Sequence, residues 1–152
     1  MMTAAVVQDV AVECEAGEDM VVCAVVTAGV SNALAVGASP PFGCYQAGTI
    51  NIVLLIDGNL TQAGMVNAVI TATEGKTMAL QDLKVKDVFT GEPASGTSTD
   101  AIVVAITGKG EKLAYAGTAT VLGGMIGRTV RKAVFESVQR YWRNEEKQES
   151  LI

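Results

Sequence analysis

The chain has 152 residues, which is the size of one ordinary domain. Hydrophobic residues make up 49% of it, enough for a core of Val, Ile, Leu, Ala and Met. It contains no histidine, which excludes Ser-His-Asp and Cys-His catalysis and histidine-ligated zinc sites. The net charge is −5 and every lysine and arginine lies from Lys76 onward, so the chain is a poor candidate for binding nucleic acid.

Neither a membrane span nor a secretory signal is expected. No apolar stretch approaches the ~20 residues that a membrane-spanning helix requires, and the amino terminus lacks a basic start. We therefore expect a cytoplasmic protein with no membrane partner. The three cysteines include no Cys-x-x-Cys pair, so we expect no disulfide framework, no metal and no cofactor. Cys14 and Cys23 are expected to be buried within strands as small apolar residues.

The first half of the chain predicts three strands. Valine-rich patterns over Val6–Cys14 and Met20–Ala28 predict a hairpin. Residues 29–47, which include Pro40 and Pro41, predict an irregular loop that could cover a substrate. A third strand is predicted over Thr49–Asp57, where Asp57-Gly-Asn59 is a turn signal.

The second half predicts two long helices and two further strands. The first helix runs from Thr61 to about Leu83. Its buried face is predicted to be Val66, Val69, Ile70, Thr73, Thr77 and Leu80, widened by Ala72 and Ala79. The two further strands, Asp100–Thr107 and Lys112–Tyr115, are predicted to form a second hairpin, and Val85–Phe89 could add a short strand before them. The last helix spans about Thr120 to Asn144, and its core stripe is predicted to be Leu122, Ile126, Val130, Ala133, Val134 and Tyr141.

These elements predict an α/β fold with a mixed, largely antiparallel β-sheet packed with two long helices, in the order β-β-β-α-β-β-α. Residues 1–144 are predicted to form a single domain, and 145–152 a charged, frayed tail. Phe135 and Trp142 are placed on the outer face of the last helix with several cations. That face could associate with a second copy of the chain or be an ordinary solvated surface.

Three polar segments, Thr27–Ala33, Gly48–Ile52 and Gly96–Asp100, each adjoin an apolar strand pattern. Loop hydroxyls and amides at strand ends are a common way to build a site on a rigid scaffold. Ser31, Asn32, Thr49 and Asn51 could position an amide or stabilise an oxyanion. Thr97, Ser98 and Thr99 could cradle a phosphate, although the sequence has no Gly-x-x-x-x-Gly-Lys-Ser/Thr motif. Turn formation and strand capping are the alternative role of such residues.

Charged and polar residues of the first helix complete the candidate set. Asp100 could be a general base at the start of its strand, or only a cap for the loop before it. Lys76 falls on the apolar side of its helix, where it could serve a site or extend outward to solvent. Asn67, Thr71 and Glu74 share another face, which could reach a ligand or be simply solvated.

Several of these segments together resemble a known family. Thr27–Ala33, Gly48–Ile52, Met65–Thr77 and Gly96–Val104 occur in this order, and Tyr115–Thr118 and Gly127–Arg131 follow. In these segments the chain resembles the adenosylcobinamide amidohydrolases of the CbiZ type, over roughly residues 20–140. The resemblance implies a small-molecule corrinoid substrate. It further implies hydrolysis of the amide that joins the aminopropanol arm to the corrin ring, giving adenosylcobyric acid in coenzyme B12 salvage.

Residue roles for such a reaction follow from chemistry. Asp100 or Glu74 would activate a water, while Asn51, Thr99 or Lys76 would polarise the amide carbonyl. Thr97, Ser98 and Thr99 are candidate nucleophiles for a covalent route. The alternative from another class is a corrinoid-binding or assembly protein that does not hydrolyse its ligand.

Overall fold

The computed structural model describes residues 1, 3, 5–38 and 47–150. A short 3₁₀ turn at Val7–Asp9 precedes the first strand. The strands are β1 (Ala11–Ala16), β2 (Val21–Gly29), β3 (Ala33–Leu34), β4 (Thr49–Asp57), β5 (Asn59–Leu60), β6 (Gly96–Thr97), β7 (Ala101–Ile106) and β8 (Lys112–Leu113). The helices are α1 (Gln62–Asp82) and α2 (Val121–Glu149). Residues 39–46 of the predicted irregular loop, including Cys44, lie outside the described part.

The main sheet has the strand order β1-β2-β4-β7. β1 and β2 form the predicted antiparallel hairpin, β2 pairs antiparallel with β4, and β4 pairs parallel with β7. The parallel pair requires a crossover connection, which α1 provides. The short strands pair separately, β3 with β6 and β5 with β8. The predicted mixed sheet with two long helices is thus confirmed.

Both helices cover one face of this sheet. Along β2 and β4 the residues that point toward the helices are buried, whereas their neighbours on the opposite face are more exposed. Because the helices pack on a single face, the fold has two layers. Within the part of the chain that the structure describes, no helix is both long enough and apolar enough to cross a membrane.

The expectation that Cys14 and Cys23 are buried free thiols is wrong. They lie directly opposite each other in the β1–β2 register and form a disulfide. Cys14 is exposed and Cys23 is half-buried, because both side chains point away from the helices. Sequence spacing did not indicate this pair, since the hairpin register is what brings the two sulfur atoms together.

Two strand predictions in the second half are also wrong. Val85–Phe89 forms no strand and contributes only an isolated bridge between Lys86 and Pro93. The predicted second hairpin does not form, since β7 pairs with β4 and β8 pairs with β5. The α1 crossover returns the chain beside β4, and this non-local connection decides the partner of β7.

Helix α1 begins where predicted but buries a different face. Its N-cap Thr61 accepts the backbone N–H of Gly64 at 3.0 Å. The predicted face is wrong in part, because Val66, Val69 and Ile70 are exposed, whereas Ala72, Ala79 and Leu80 are buried as predicted. The buried positions are mostly small: Gly64, Ala68, Thr71, Ala72, Gly75, Lys76, Ala79 and Leu80. Small side chains allow the close approach of α1 to α2, which a search for large apolar residues overlooks.

Helix α2 buries the predicted stripe of Leu122, Ile126, Val130, Ala133 and Val134. It continues through Glu149, five residues beyond the predicted end at Asn144. Phe135 and Trp142 are not on an outer face, because both are partly buried and pack against the core. The outer face instead carries cations that pair with acidic residues of β1, namely Arg128 with Glu15 and Lys132 with Glu13.

Candidate functional site

The three polar segments meet at one end of the sheet, where β2 ends and where β4 and β7 begin. The Asn32 side-chain amide donates to the Gly48 carbonyl at 2.9 Å and to the Ser98 hydroxyl at 2.8 Å. The Thr49 hydroxyl donates to the Thr99 carbonyl at 2.8 Å, and the Thr99 hydroxyl donates to Gly48 at 2.9 Å. We call this assembly the polar cluster; its side chains are Asn32, Thr49, Lys76, Thr97, Ser98, Thr99 and Asp100.

Asp100 is the centre of the polar cluster. Its Oδ1 accepts the backbone N–H of Ile50 at 3.0 Å and the Thr97 hydroxyl. Its Oδ2 accepts the backbone N–H of Thr97 at 3.1 Å and the ammonium of Lys76. The carboxylate therefore joins the starts of β4, β6 and β7 to helix α1.

Lys76 does not extend into solvent. Its side chain is 9% exposed and that of Asp100 is 13% exposed, so the ion pair between them is largely withdrawn from water. A buried charge is tolerated only when it is paired and hydrogen-bonded. Here the Lys76 ammonium and the Asp100 carboxylate pair with each other. The position of Lys76 on the apolar side of α1 is thus explained by Asp100.

Two glycines allow the backbone to approach this cluster closely. A Cβ atom at Gly96 would overlap Asp100 Oδ2 and lie 2.7 Å from Lys76 Nζ. A Cβ atom at Gly48 would overlap Asn32 Oδ1. Sequence reasoning did not assign either glycine to the site, because the need for glycine arises from atoms contributed by other segments.

Tyr141 borders the polar cluster from α2, although the sequence placed it in the core stripe. Burial raises the pKa of the Tyr141 phenol, and a hydrogen bond with Ser31 opposes that rise. Ser31 in turn donates to the Ala47 carbonyl at 2.6 Å. A polar tip in an otherwise aliphatic stripe is the signal that could have identified Tyr141.

Asp87 is a second buried carboxylate, and sequence reasoning missed it. It accepts the backbone N–H groups of Ala35 at 2.7 Å, Phe89 at 2.8 Å and Thr90 at 2.9 Å. These bonds, that of Ala35 foremost, hold the pKa of the Asp87 carboxyl below its usual range. Val88 also donates to the Ala33 carbonyl, so this turn supports the segment that follows Asn32.

The structure does not bring the polar row of α1 to Asp100. Asn67 accepts the backbone N–H of Ala116 at 2.9 Å, and Thr71 donates to the Ala116 carbonyl at 2.8 Å. Both side chains therefore fix the segment before α2. Glu74 is exposed and lies about 200° around the helix from Lys76. Asn51 is buried at the start of β4, opposite Ala101 in β7.

Glu74 instead lines a groove of about 610 Å³ between α1 and α2, which we call the interhelical groove. Its walls include Gly75, Met78, Gly124 and Gly127. Arg128 and Arg131 also line it, but each forms a bidentate pair at 2.6–2.9 Å, with Glu15 and Asp82 respectively. The cations of the groove are therefore already neutralised.

The polar cluster can support acyl chemistry without imidazole. The Thr97 hydroxyl donates directly to Asp100, and Asp100 is held in turn by Lys76. A hydroxyl, a base and a third group that orients the base are the elements of an activated nucleophile. Among the described residues, no group of three or more Cys, Asp or Glu side chains is arranged to hold a metal ion.

An α/β protein with such a cluster could belong to several classes of hydrolase or binding protein, and sequence comparison narrows the choice. The family model of adenosylcobinamide amidohydrolase, CbiZ, matches residues 1–146. The adenosylcobinamide amidohydrolase of Methanosarcina mazei is 34% identical over 126 residues, which are 77% of this chain and 56% of that protein. That of Halobacterium salinarum is 35% identical over 118 residues, 74% of this chain and 48% of the relative.

An uncharacterized protein of Methanocaldococcus jannaschii is 42% identical over 94 residues, 61% of this chain and 36% of that protein. The chain belongs to the adenosylcobinamide amidohydrolase family, as the resemblance of its segments indicated. It spans about half the length of the curated relatives that it matches.

Proposed function

We propose that the chain is an amidohydrolase that cleaves the aminopropanol amide of adenosylcobinamide and leaves adenosylcobyric acid. The observation that carries this proposal is the arrangement around Asp100, whose carboxylate binds a hydroxyl and a buried ammonium at once. Family membership supplies the substrate class, and the two named relatives carry the name of this activity. The polar cluster supplies groups suited to amide cleavage.

In the proposed reaction Thr97 attacks the amide carbonyl carbon through Oγ1. The hydroxyl proton passes to Asp100 Oδ1, the atom to which it is already hydrogen-bonded. The C–N bond then breaks, and the same proton is delivered to the departing aminopropanol nitrogen. Water, activated by Asp100, hydrolyses the resulting Thr97 ester, which gives the carboxylic acid and restores the hydroxyl.

Other members of the polar cluster are given supporting roles. An ammonium has three donors, so Lys76 can hold Asp100 and still offer a proton to the amide oxygen as charge develops there. Ser98 is exposed and its hydroxyl is held by Asn32, which suits it to contact the substrate. Thr99 donates to Gly48, which suits it to fix the loop rather than to attack.

The test is incubation of the purified chain with adenosylcobinamide, with released aminopropanol measured by mass spectrometry. We expect Asp100→Asn and Thr97→Val to lower turnover at least ~100-fold, because general acid–base and nucleophilic groups contribute on that order. Thr97→Ser retains a hydroxyl and should stay within about tenfold of the native rate. The matched control is Thr73→Val, whose exposed hydroxyl bonds only to Val69 of its own helix.

Each other outcome contradicts a definite part of the proposal. Retention of intact adenosylcobinamide without release of aminopropanol would favour the non-hydrolytic corrinoid-binding protein. Full turnover by Thr97→Val together with loss in Asp100→Asn would assign the attack to water instead of Thr97. If the chain neither binds adenosylcobinamide nor releases aminopropanol, the proposal of a corrinoid substrate is wrong.

A further inference from the structure

Strand β7 is an edge of the main sheet that no described segment protects by pairing. It pairs with β4 on one side, and no other strand of the described residues pairs with its second side. Its sequence, Ala-Ile-Val-Val-Ala-Ile, contains no charge or proline, and none of its six residues is fully buried. Natural proteins usually protect a sheet edge with charges, bulges or a covering segment, because a bare edge pairs readily with another strand.

The opposite edge of the same sheet is protected. There β1 carries Glu13 and Glu15, which are engaged by Lys132 and Arg128 of α2. The two edges thus differ in the feature that prevents pairing between molecules. The difference indicates that the β7 edge has a partner, whereas the β1 edge does not need one.

Helix α1 exposes an apolar row on the same side of the molecule. Val66, Val69 and Ile70 are 62%, 37% and 51% exposed. Val69 precedes Lys76 by seven residues and therefore lies on nearly the same side of α1. Lys76 contacts Asp100, which directly precedes β7. The apolar row accordingly flanks the β7 edge.

We propose that the β7 edge and the α1 row together form an interface with a second copy of this chain. The two β7 strands would pair antiparallel about a two-fold axis perpendicular to the sheet, giving one continuous sheet of twice the width. Such an axis keeps the helices of both copies on the same face. It also places each α1 row opposite the α1 row of the other copy.

A second copy fits this surface better than a single added peptide strand. A peptide paired with β7 would leave Val66, Val69 and Ile70 in water, whereas a second copy covers the edge and the row together. In a two-fold interface each patch meets itself, so a charged patch would repel its copy. Neither β7 nor this row carries a charge. The same patch on two copies can therefore pack together without electrostatic repulsion.

The experiment is sedimentation equilibrium of the full chain and of matched lysine variants. The native chain should be a dimer, and Val103→Lys should raise the dimer dissociation constant on the order of 100-fold, because the two introduced charges lie close together across the axis. The control is Leu55→Lys, on the same open face of the sheet but one strand further in. Leu55 is 43% exposed and Val103 44%, so the two variants differ in position rather than exposure.

A second pair of variants tests the helix row independently of the strand. Ile70→Lys should weaken the dimer, whereas Met78→Lys, on the side of α1 that lines the interhelical groove, should not. Both substitutions are on a helix surface, so the proposal can still be tested if Val103→Lys does not fold. Circular dichroism of each variant checks the fold.

Three results would overturn the proposal. The native chain could remain monomeric at tens of micromolar, or the dimer dissociation constant could be unchanged by both Val103→Lys and Ile70→Lys. The third is that Leu55→Lys weakens the dimer as much as Val103→Lys does. The last would indicate face-to-face packing of two sheets. The proposal does not depend on amide hydrolysis, since dimerisation is measured without substrate.

Discussion

Polar residues on the two sides of helix α1 differ in burial and in the partners that they bind. On the side of the polar cluster, Lys76 is buried and bound to a carboxylate from a segment 24 residues away. On the side of the interhelical groove, Glu74 is exposed and Thr73 bonds only to its own helix. Burial forces polar groups to find partners in other segments, so residues of the polar cluster depend on one another. Glu74 and Thr73, which are exposed, do not depend on such partners.

The largest expected effect comes from removing Lys76. Lys76→Met leaves Asp100 buried without its cation, and breaking such a pair costs roughly 3–5 kcal/mol. Glu74→Gln, two residues away, should change the free energy of unfolding by less than about 0.5 kcal/mol. Urea unfolding of the two variants measures both values directly.

A double variant separates loss of the pair from loss of packing. Lys76→Met combined with Asp100→Asn removes both charges, so it should recover much of the stability lost by Lys76→Met alone. Turnover should not recover, since both groups have roles in the proposed reaction. Simple addition of the two destabilisations would contradict the coupling between these residues.

Two glycines of α2 differ in whether a neighbouring segment leaves room for a side chain. A Cβ atom at Gly123 would overlap the Gly117 carbonyl, and the cost of Gly123→Ala should be about 3 kcal/mol. A Cβ atom at Gly127 meets nothing within 4 Å, so Gly127→Ala should stabilise the helix by up to ~1 kcal/mol. Thermal or urea unfolding should show that Gly123→Ala lowers the free energy of unfolding and that Gly127→Ala raises it.

A destabilised Gly127→Ala would contradict this account of the interhelical groove. It would mean that the groove closes in solution and that the space beside the Cβ position of Gly127 is then occupied. A neutral Gly123→Ala would show instead that the segment at Gly117 can move away from α2. Either result would remove the distinction between a glycine required by contact and one that only lines open space.

The elements predicted best from the sequence are those defined by local signals. Strand β4 has the predicted bounds because a turn signal follows Asp57, and α1 begins at Thr61 because that residue caps it. The partner of β7 and the Cys14–Cys23 disulfide could not be predicted with the same ease. Both depend on which strands become neighbours, and no short segment carries that information.

The candidate site was predictable to a similar extent. Polar residues at strand ends indicated the segments that meet at Asp100. Helix geometry placed Lys76 on the apolar side of α1 but did not decide between burial and extension to solvent. Asp87, Tyr141 and the close approach of Gly48 were missed. Each of these features is created by atoms from another segment, so a pattern within one segment does not reveal it.

The smallest expected effects come from substitution of two carboxylates. Asp87 holds the segment beside the polar cluster, and Asp82 pairs with Arg131 at the interhelical groove. Hydrogen bonds from backbone N–H groups, that of Ala35 foremost, hold the pKa of Asp87 below its usual range, and a hydrogen bond from Arg131 does so for Asp82. A carboxyl whose pKa is lower in the folded state stabilises the fold above its unfolded value of about 3.9. That stability is lost as the pH falls through the folded pKa.

Asp87→Asn should lower the melting temperature at pH 7, because an amide cannot accept all three backbone N–H groups. The difference from the native chain should begin to narrow below about pH 4, where Asp87 of the unfolded chain becomes protonated, and should be lost as the pH falls through the lower pKa of the folded state. Asp82→Asn should have a smaller effect that disappears in 1 M salt, since its ion pair with Arg131 is solvent-exposed and screened over ~3 Å. Melting temperatures at pH 7 and pH 3, with and without salt, distinguish the two carboxylates. A pH-independent difference for Asp87→Asn would mean that the variant acts through packing, and that the charge of Asp87 contributes nothing to the segment beside the polar cluster.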